Sequence, residues 1–201
     1  DKVLSGPIMY QITGLTPFTG NQFATIGNDW ALPQQILTEA QKNNYRKMVE
    51  AIGQKLRGDG WKGLFGIDAI LDSNTGEIFL IEINARQPAS TTYESWLQKN
   101  QTTFEAHLSA LLDYENSNFI LTPVINGSQI IQRVKTRNSK FEIRNKKPKI
   151  LNRLNKLDLN VIEYVNTKPE KDLLRIQSKK GIMLAHNQLN ELGLEIANIL
   201  K

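Results

Sequence analysis

The clearest pattern of apolar and polar positions lies between residues 64 and 92. Two apolar runs, Leu64 to Leu71 and Ile78 to Ile83, flank the turn-forming cluster Asp72-Ser73-Asn74-Thr75-Gly76, and together they predict a β-hairpin. Both runs read as buried on two faces. Polar side chains interrupt them at only two interior points, Asp68 and Glu82.

Upstream, Ala31 to Arg57 repeats its apolar residues at helical spacing. Tyr45, Met48, Val49, Ile52 and Leu56 share one face while Lys42, Arg46, Lys47, Glu50 and Lys55 take the other, predicting a helix that begins near Pro33 and stops at Gly58-Asp59-Gly60. Before it, Val3 to Ile12 reads as a strand, with a second strand around Gln22 to Ile26. Thr13 to Trp30 is rich in Gly, Thr, Asn and Pro and is long enough for a functional loop. For Gln11, Thr13, Asn21 and Gln22, turn-forming roles outweigh ligand contact.

Downstream of the hairpin, Gln87 to Thr92 is a polar loop whose Ser and Thr suit capping of the next helix. Tyr93 to Leu97 and Thr103 to Leu112 follow as helical segments, with Phe104, Leu108, Leu111 and Leu112 as a core stripe. His107 lies close to that stripe, where a satisfied, partly buried histidine outweighs a catalytic base. The polar stretch from Tyr114 to Asn118 marks a boundary between residues 1–117 and 118–201. Beyond it the pattern predicts strands over Gly127 to Thr136, Lys140 to Arg144, Val161 to Val165 and Leu173 to Gln177, with a basic turn at Asn145 to Pro148. A closing helix runs from Met183 to Leu200, its stripe formed by Leu189, Leu192, Ile196, Ile199 and Leu200 and its stability reduced about 1 kcal/mol by Gly193. The class is α+β: an antiparallel sheet with packed helices, then a small strand-rich lobe.

Composition adds a globular chain with 40% hydrophobic residues, enough for a sizeable core, and no cysteine. Disulfides, thiolate nucleophiles and cysteine-bound metals are thereby excluded. No apolar run approaches the ~20 residues that span a bilayer. A soluble, cytoplasmic protein is expected. Charge is uneven: Arg133 to Lys180 carries fifteen Lys or Arg against five Asp or Glu, a balance of +10, which leaves −5 for the rest of a chain of formal charge +5. Aromatic residues are sparse there, Phe141 and Tyr164 only, so a solvated basic face outweighs nucleic-acid binding.

The chemistry concentrates in the hairpin. Asp68 and Glu82 are about equally far from the turn, so pairing brings them roughly opposite, about 5 Å between Cβ atoms. Two like charges so placed destabilise the pair unless a cation lies between them. Asn84 returns to the face of Glu82 and adds a third oxygen, and this donor set suits Mg²⁺. Arg86 is next on that face if the strand continues, with bidentate donors for a phosphate or carboxylate. The alternative, an ordinary surface hairpin with one polar face, is outweighed because four polar groups converge within apolar runs that alternate poorly; for Arg86 alone the alternative is a solvated salt-bridge partner.

Asp68 in GIDAIL, with Glu82, Asn84 and Arg86 in LIEINAR, resembles the metal motif of the ATP-grasp ligases. In that superfamily an acid on one strand and Glu-x-Asn-x-Arg on the next bind the magnesium of MgATP. The Glu-Ile-Asn-x-Arg form is most similar to the branch with biotin carboxylase, carbamoyl phosphate synthetase and related carboxylate–amine ligases. Asp at the first position departs from the Glu often found in that branch, but D-alanine–D-alanine ligase-like enzymes use Asp there. The likeness covers about 30 residues strongly and extends from about residue 5 to 115 through the order helix, strand, strand.

The resemblance implies the C-terminal half of an ATP-grasp fold followed by a small lobe. It also implies ATP and Mg²⁺ (or Mn²⁺) as cofactors, Asp68, Glu82 and Asn84 as metal ligands, Asn84 and Arg86 as nucleotide contacts, and Arg86 as the catalytic group. The reaction expected is ligation of a small-molecule carboxylate to an amine through an acyl phosphate. Such enzymes also need a substrate lobe and an ATP-gripping subdomain, a longer stretch than precedes Trp61, so the chain is expected to be part of a larger ligase. A homodimer fits this reading. Two rivals stand beside it: a non-catalytic ATP-grasp-like module whose basic lobe recruits nucleic acid or an acidic protein, and a two-carboxylate hydrolase, which leaves Asn84 and Arg86 unexplained.

Overall fold

A computed structural model describes residues 3–114, 118–134, 148–166 and 168–201. They form two compact units that do not follow the chain in order. The first comprises Asp1–Ile8 and Leu37–Val124, and the second Met9–Ile36 and Ile125–Lys201. The later border falls between Val124 and Ile125, where the sequence expectation set a boundary between residues 117 and 118. What the linear pattern did not contain is that residues 9–36 belong with the C-terminal lobe.

The reason is strand pairing. In the second unit β1 (Tyr10–Thr13) and β2 (Thr25–Asp29) are followed by a short helix α1 (Leu32–Ile36). After the excursion into the first unit, β5 (Ser128–Arg133) returns to pair with β2, and β7 (Asp172–Ser178) and β6 (Asn160–Glu163) complete a five-stranded antiparallel sheet of order β1-β2-β5-β7-β6. One row of directly paired residues, Ile12, Gly27, Ile130, Ile176 and Val161, faces the core. Gly27 is required in it, because a Cβ there would stand 2.1 Å from the Gln129 carbonyl oxygen. The adjacent row is entirely amide: Gln11, Asn28, Gln129, Gln177 and Asn160, one on each strand and all on the other face. Gln129 Nε2 donates to Asn28 Oδ1 at 3.1 Å and Asn160 Nδ2 to Gln177 Oε1 at 2.7 Å.

Residues 148–155 (α5), helical and absent from the sequence expectation, bring Leu154 into this core beside Phe18, Ile26 and Leu32. The strand expected at Lys140 to Arg144 and most of the basic turn lie outside the described residues. The closing helix is shorter than its apolar stripe suggested. Met183–Ala185 (β8) and Gln188–Leu189 (β9) form a small hairpin, and only Glu191–Leu200 (α6) is helical, because Asn190 caps it by accepting from Gly193 N–H at 3.0 Å. Gly193 packs so closely that a Cβ would lie 2.4 Å from the Ile182 carbonyl oxygen.

One fully buried carboxylate ties this unit together. Asp29 Oδ1 accepts from Ala31 and Leu32 N–H at 2.8 and 2.9 Å, and Oδ2 accepts from Ile182 and Met183 N–H at 2.6 and 2.9 Å. Four backbone donors from two distant segments converge on one side chain.

In the first unit the single helix expected from residue 31 is divided, and the division falls at the border between units. Thr38 starts α2 (Glu39–Gly58) with a capping box: its Oγ1 accepts from Gln41 N–H at 3.2 Å and Gln41 Oε1 accepts from Thr38 N–H at 2.9 Å. Then come β3 (Gly66–Leu71), β4 (Ile78–Asn84), α3 (Thr91–Leu97) and α4 (Thr103–Leu111). Among the described residues no helix is long and apolar enough to cross a membrane.

Two expectations about burial fail here. The hairpin β3–β4 is a sheet of two strands only, and Ile70, Phe79 and Ile81 are 57%, 50% and 59% exposed rather than buried on both faces. On α4 the residues Phe104, Leu108 and Leu111 do share a face, but they are 41–50% exposed. Helical spacing tells which side chains align. It does not supply a neighbour to cover them.

Candidate functional site

The hairpin is closed by its turn. Asp72 Oδ1 accepts from Asn74 and Thr75 N–H at 2.7 and 3.3 Å, and Gly76, at φ 73°, allows the chain to reverse. From there the ladder runs Leu71 to Ile78, Ile70 to Phe79 and Ala69 to Leu80, then skips Ile81, so that Asp68 faces Glu82 and Gly66 faces Asn84. Ile81 is a β-bulge. An unbroken ladder would place Ile81 opposite Asp68 and turn Glu82 to the other face. The bulge puts Asp68, Glu82 and Asn84 on one face.

Electrostatics agrees with this arrangement. Burial pushes the Asp68 carboxyl above its ordinary range, the facing Glu82 charge pushes it further the same way, and only Arg86 opposes them. Arg86 does not continue the strand as expected. β4 ends at Asn84, whose carbonyl accepts from Arg86 N–H at 2.8 Å in a tight turn, leaving the guanidinium exposed at the strand end and near enough to act on Asp68.

The donor set fits a hard divalent cation: two carboxylates and an amide oxygen, one carboxylate held in a position where its charge is opposed. Among the described residues no cluster of three or more His, Cys, Asp or Glu could hold a metal ion, and the oxygen that shares this face with the two carboxylates is the Asn84 amide. The Ser/Thr loop plays no capping part. Ser90 precedes α3 in helical conformation, and its side chain makes no cap hydrogen bond. The feature that sequence reasoning missed is the bulge, and a signal for it existed. Residues that pair across a straight two-stranded ladder have numbers of constant sum, and the sum set by Leu71 and Ile78 is one short of that for Asp68 and Glu82.

Comparison with known proteins gives the same region a context. The chain is similar along its whole length to the carboxyaminoimidazole ribonucleotide synthase of Aspergillus clavatus solved with ATP, with a TM-score of 0.60, 17% identity, and coverage of 100% of this chain and 46% of that one. It is also similar to the phosphoribosylaminoimidazole carboxylase ATPase subunit of Aquifex aeolicus, with a TM-score of 0.55, 16% identity, and coverage of 96% and 52%. Among curated proteins, 50 residues are 42% identical to the butirosin acyl-carrier protein–L-glutamate ligase of Niallia circulans, 25% of this chain and 12% of that protein. No family model matches. The chain spans about half the length of the solved neighbours. Those neighbours and the glutamate ligase are ATP-grasp ligases, and at these identities the structural likeness establishes the fold.

Proposed function

From a chain that has the fold of the C-terminal half of an ATP-grasp ligase, we propose that it supplies the metal-binding part of an ATP-dependent carboxylate–amine ligase. The observation that carries this reading is the bulged register that sets Asp68 against Glu82 with Asn84 in line. Asp68, Glu82 and Asn84 would hold Mg²⁺ or Mn²⁺. A cation bound there supplies the positive charge that lets phosphate oxygens and an incoming carboxylate approach one another.

The chain's own groups do the rest by placement. Arg86, free of the ladder at the strand end, presents a planar fork to the transferring phosphoryl group or to the substrate carboxylate. The class of reaction is activation of a small-molecule acid as its acyl phosphate and displacement of phosphate by an amine. The grips on adenine and on the outer phosphates are assigned to sequence beyond residues 1–201. Residues 1–201 alone should therefore bind MgATP with a Kd of about 1 mM or weaker, and micromolar affinity by calorimetry would show that the division of labour is wrong.

The direct test is ATP consumption by the whole protein carrying this chain, with a panel of amino and hydroxy acids at saturating and limiting Mg²⁺. Glu82→Gln should raise the Mg²⁺ requirement by at least about tenfold together with a loss of turnover. Arg86→Lys should lower kcat far more than it raises KM for ATP, because lysine keeps the charge and loses the fork. Unchanged Mg²⁺ dependence in the first variant, or intact kcat in the second, removes the role given to that residue.

A further inference from the structure

We propose that His107 is a positioning residue for the metal site, fixing through its Nδ1 the turn from which β3 carries Asp68 to its place opposite Glu82. The proposal rests on reading the hairpin as a divalent-cation site. Four observations support it.

First, His107 sits in the middle of α4, and its Nδ1 accepts from Leu64 N–H at 3.1 Å. Second, the chain wraps closely over the ring. Gly63 has φ 91°, and a Cβ there would stand 2.6 Å from Nδ1 and 2.8 Å from Cε1 of His107, so the turn is available to glycine alone. Third, Leu64 lies two residues before β3 begins at Gly66, and Asp68 two residues beyond that, so a shift at Leu64 passes along extended backbone to the carboxylate. Fourth, β3 has one neighbouring strand instead of two, and a two-stranded ladder is weak by itself. Its closed end is held by the turn at residues 72–77. Its open end is held by the His107 contact together with the packing of Phe65 over Gly53 and of Gly66 against Pro88, while the flanking Lys62–Asp113 ion pair is exposed and contributes little.

The chemistry of the contact is specific. An imidazole nitrogen that accepts a hydrogen bond carries no proton, so the ring is neutral with its hydrogen on Nε2. Asparagine presents an acceptor oxygen at nearly the same distance from the backbone as Nδ1. Glutamine carries its acceptor one methylene further out, and alanine has none.

The experiment uses residues 1–201 titrated with Mn²⁺ and follows paramagnetic broadening of backbone amide signals. Wild type should show broadening centred on Asp68, Glu82 and Asn84. His107→Ala and His107→Gln should weaken Mn²⁺ binding by about tenfold, the low end of what supporting partners of metal ligands contribute, while His107→Asn should stay close to wild type. A folded His107→Ala or His107→Gln protein that binds Mn²⁺ as wild type does would overturn the proposal and leave the metal reading standing. No binding by wild type would remove the metal reading itself. Nitrogen-15 spectra of the native protein give a check that needs no variant: Nδ1 should be the unprotonated nitrogen, and the opposite tautomer overturns the proposal.

Discussion

Counting back from the Leu71–Ile78 pair, a straight ladder would set Asp68 against an isoleucine, and the two acids would never meet. The motif residues were legible in the sequence because carboxylates stand out among apolar neighbours. Ile81 itself looks like any other strand residue, and only the mismatch between the Leu71–Ile78 and Asp68–Glu82 sums gives its bulge away. The like-charge pair it creates has a measurable cost. Because the Asp68 carboxyl is raised in the folded protein above its ordinary value of 3.8, folding is more favourable while that group is protonated. Stability should fall as pH rises from about 4 through the raised value. Asp68→Asn should lack this fall and, above that window, be more stable than wild type by about 0.5 kcal/mol, a shift of roughly 1–2 °C in Tm. Added Mn²⁺ should stabilise wild type and not the variant. Thermal melts between pH 3.5 and 6.5, with and without the metal, check both signs, and a fall of equal size in the variant would assign it to another group.

At the scale of elements, periodicity identified helices and strands well and their limits poorly. α4 has the spacing of a core helix, yet its stripe is half exposed, because a sequence records which residues share a face and not whether anything lies against it. The closing helix fails differently. Its apolar residues continue back to Met183, but Asn187 adopts φ 56° and the preceding stretch turns into β8 and β9. Gly193 shows how tertiary contact reverses a local preference. By propensity alone Gly193→Ala would add about 1 kcal/mol to α6. The new Cβ would press on the Ile182 backbone carbonyl, which cannot rotate away, so the variant should instead lose about 1–3 kcal/mol. Equilibrium urea unfolding decides the sign. A stabilised variant would mean that α6 moves more freely against residue 182 than the packing allows.

Across the whole molecule the C-terminal lobe is not a C-terminal segment. Its sheet begins with β1 and β2, its core includes Ile12, Phe18 and Ile26, and its buried Asp29 receives donors from both parts of the chain. Residues 119–201 expressed alone should therefore be unfolded, with poorly dispersed amide signals, whereas residues 1–201 fold. A well-dispersed spectrum from the short piece would show that β5, β6 and β7 suffice. Any search for nucleic-acid binding by the basic stretch needs the longer chain for the same reason. The interleaving also bears on how the protein is made. A ribosome adding about 5–20 residues per second releases β1 and β2 several seconds or more before β5 emerges, roughly a hundred residues later. Throughout that interval the hydrogen-bonding edge of β2 and the side chains of Phe18 and Ile26 wait without the strand and helices that later bury them. The nascent chain is thus most exposed to mispairing while the first unit is being synthesised, and translation speed through residues 37–124 becomes a determinant of yield.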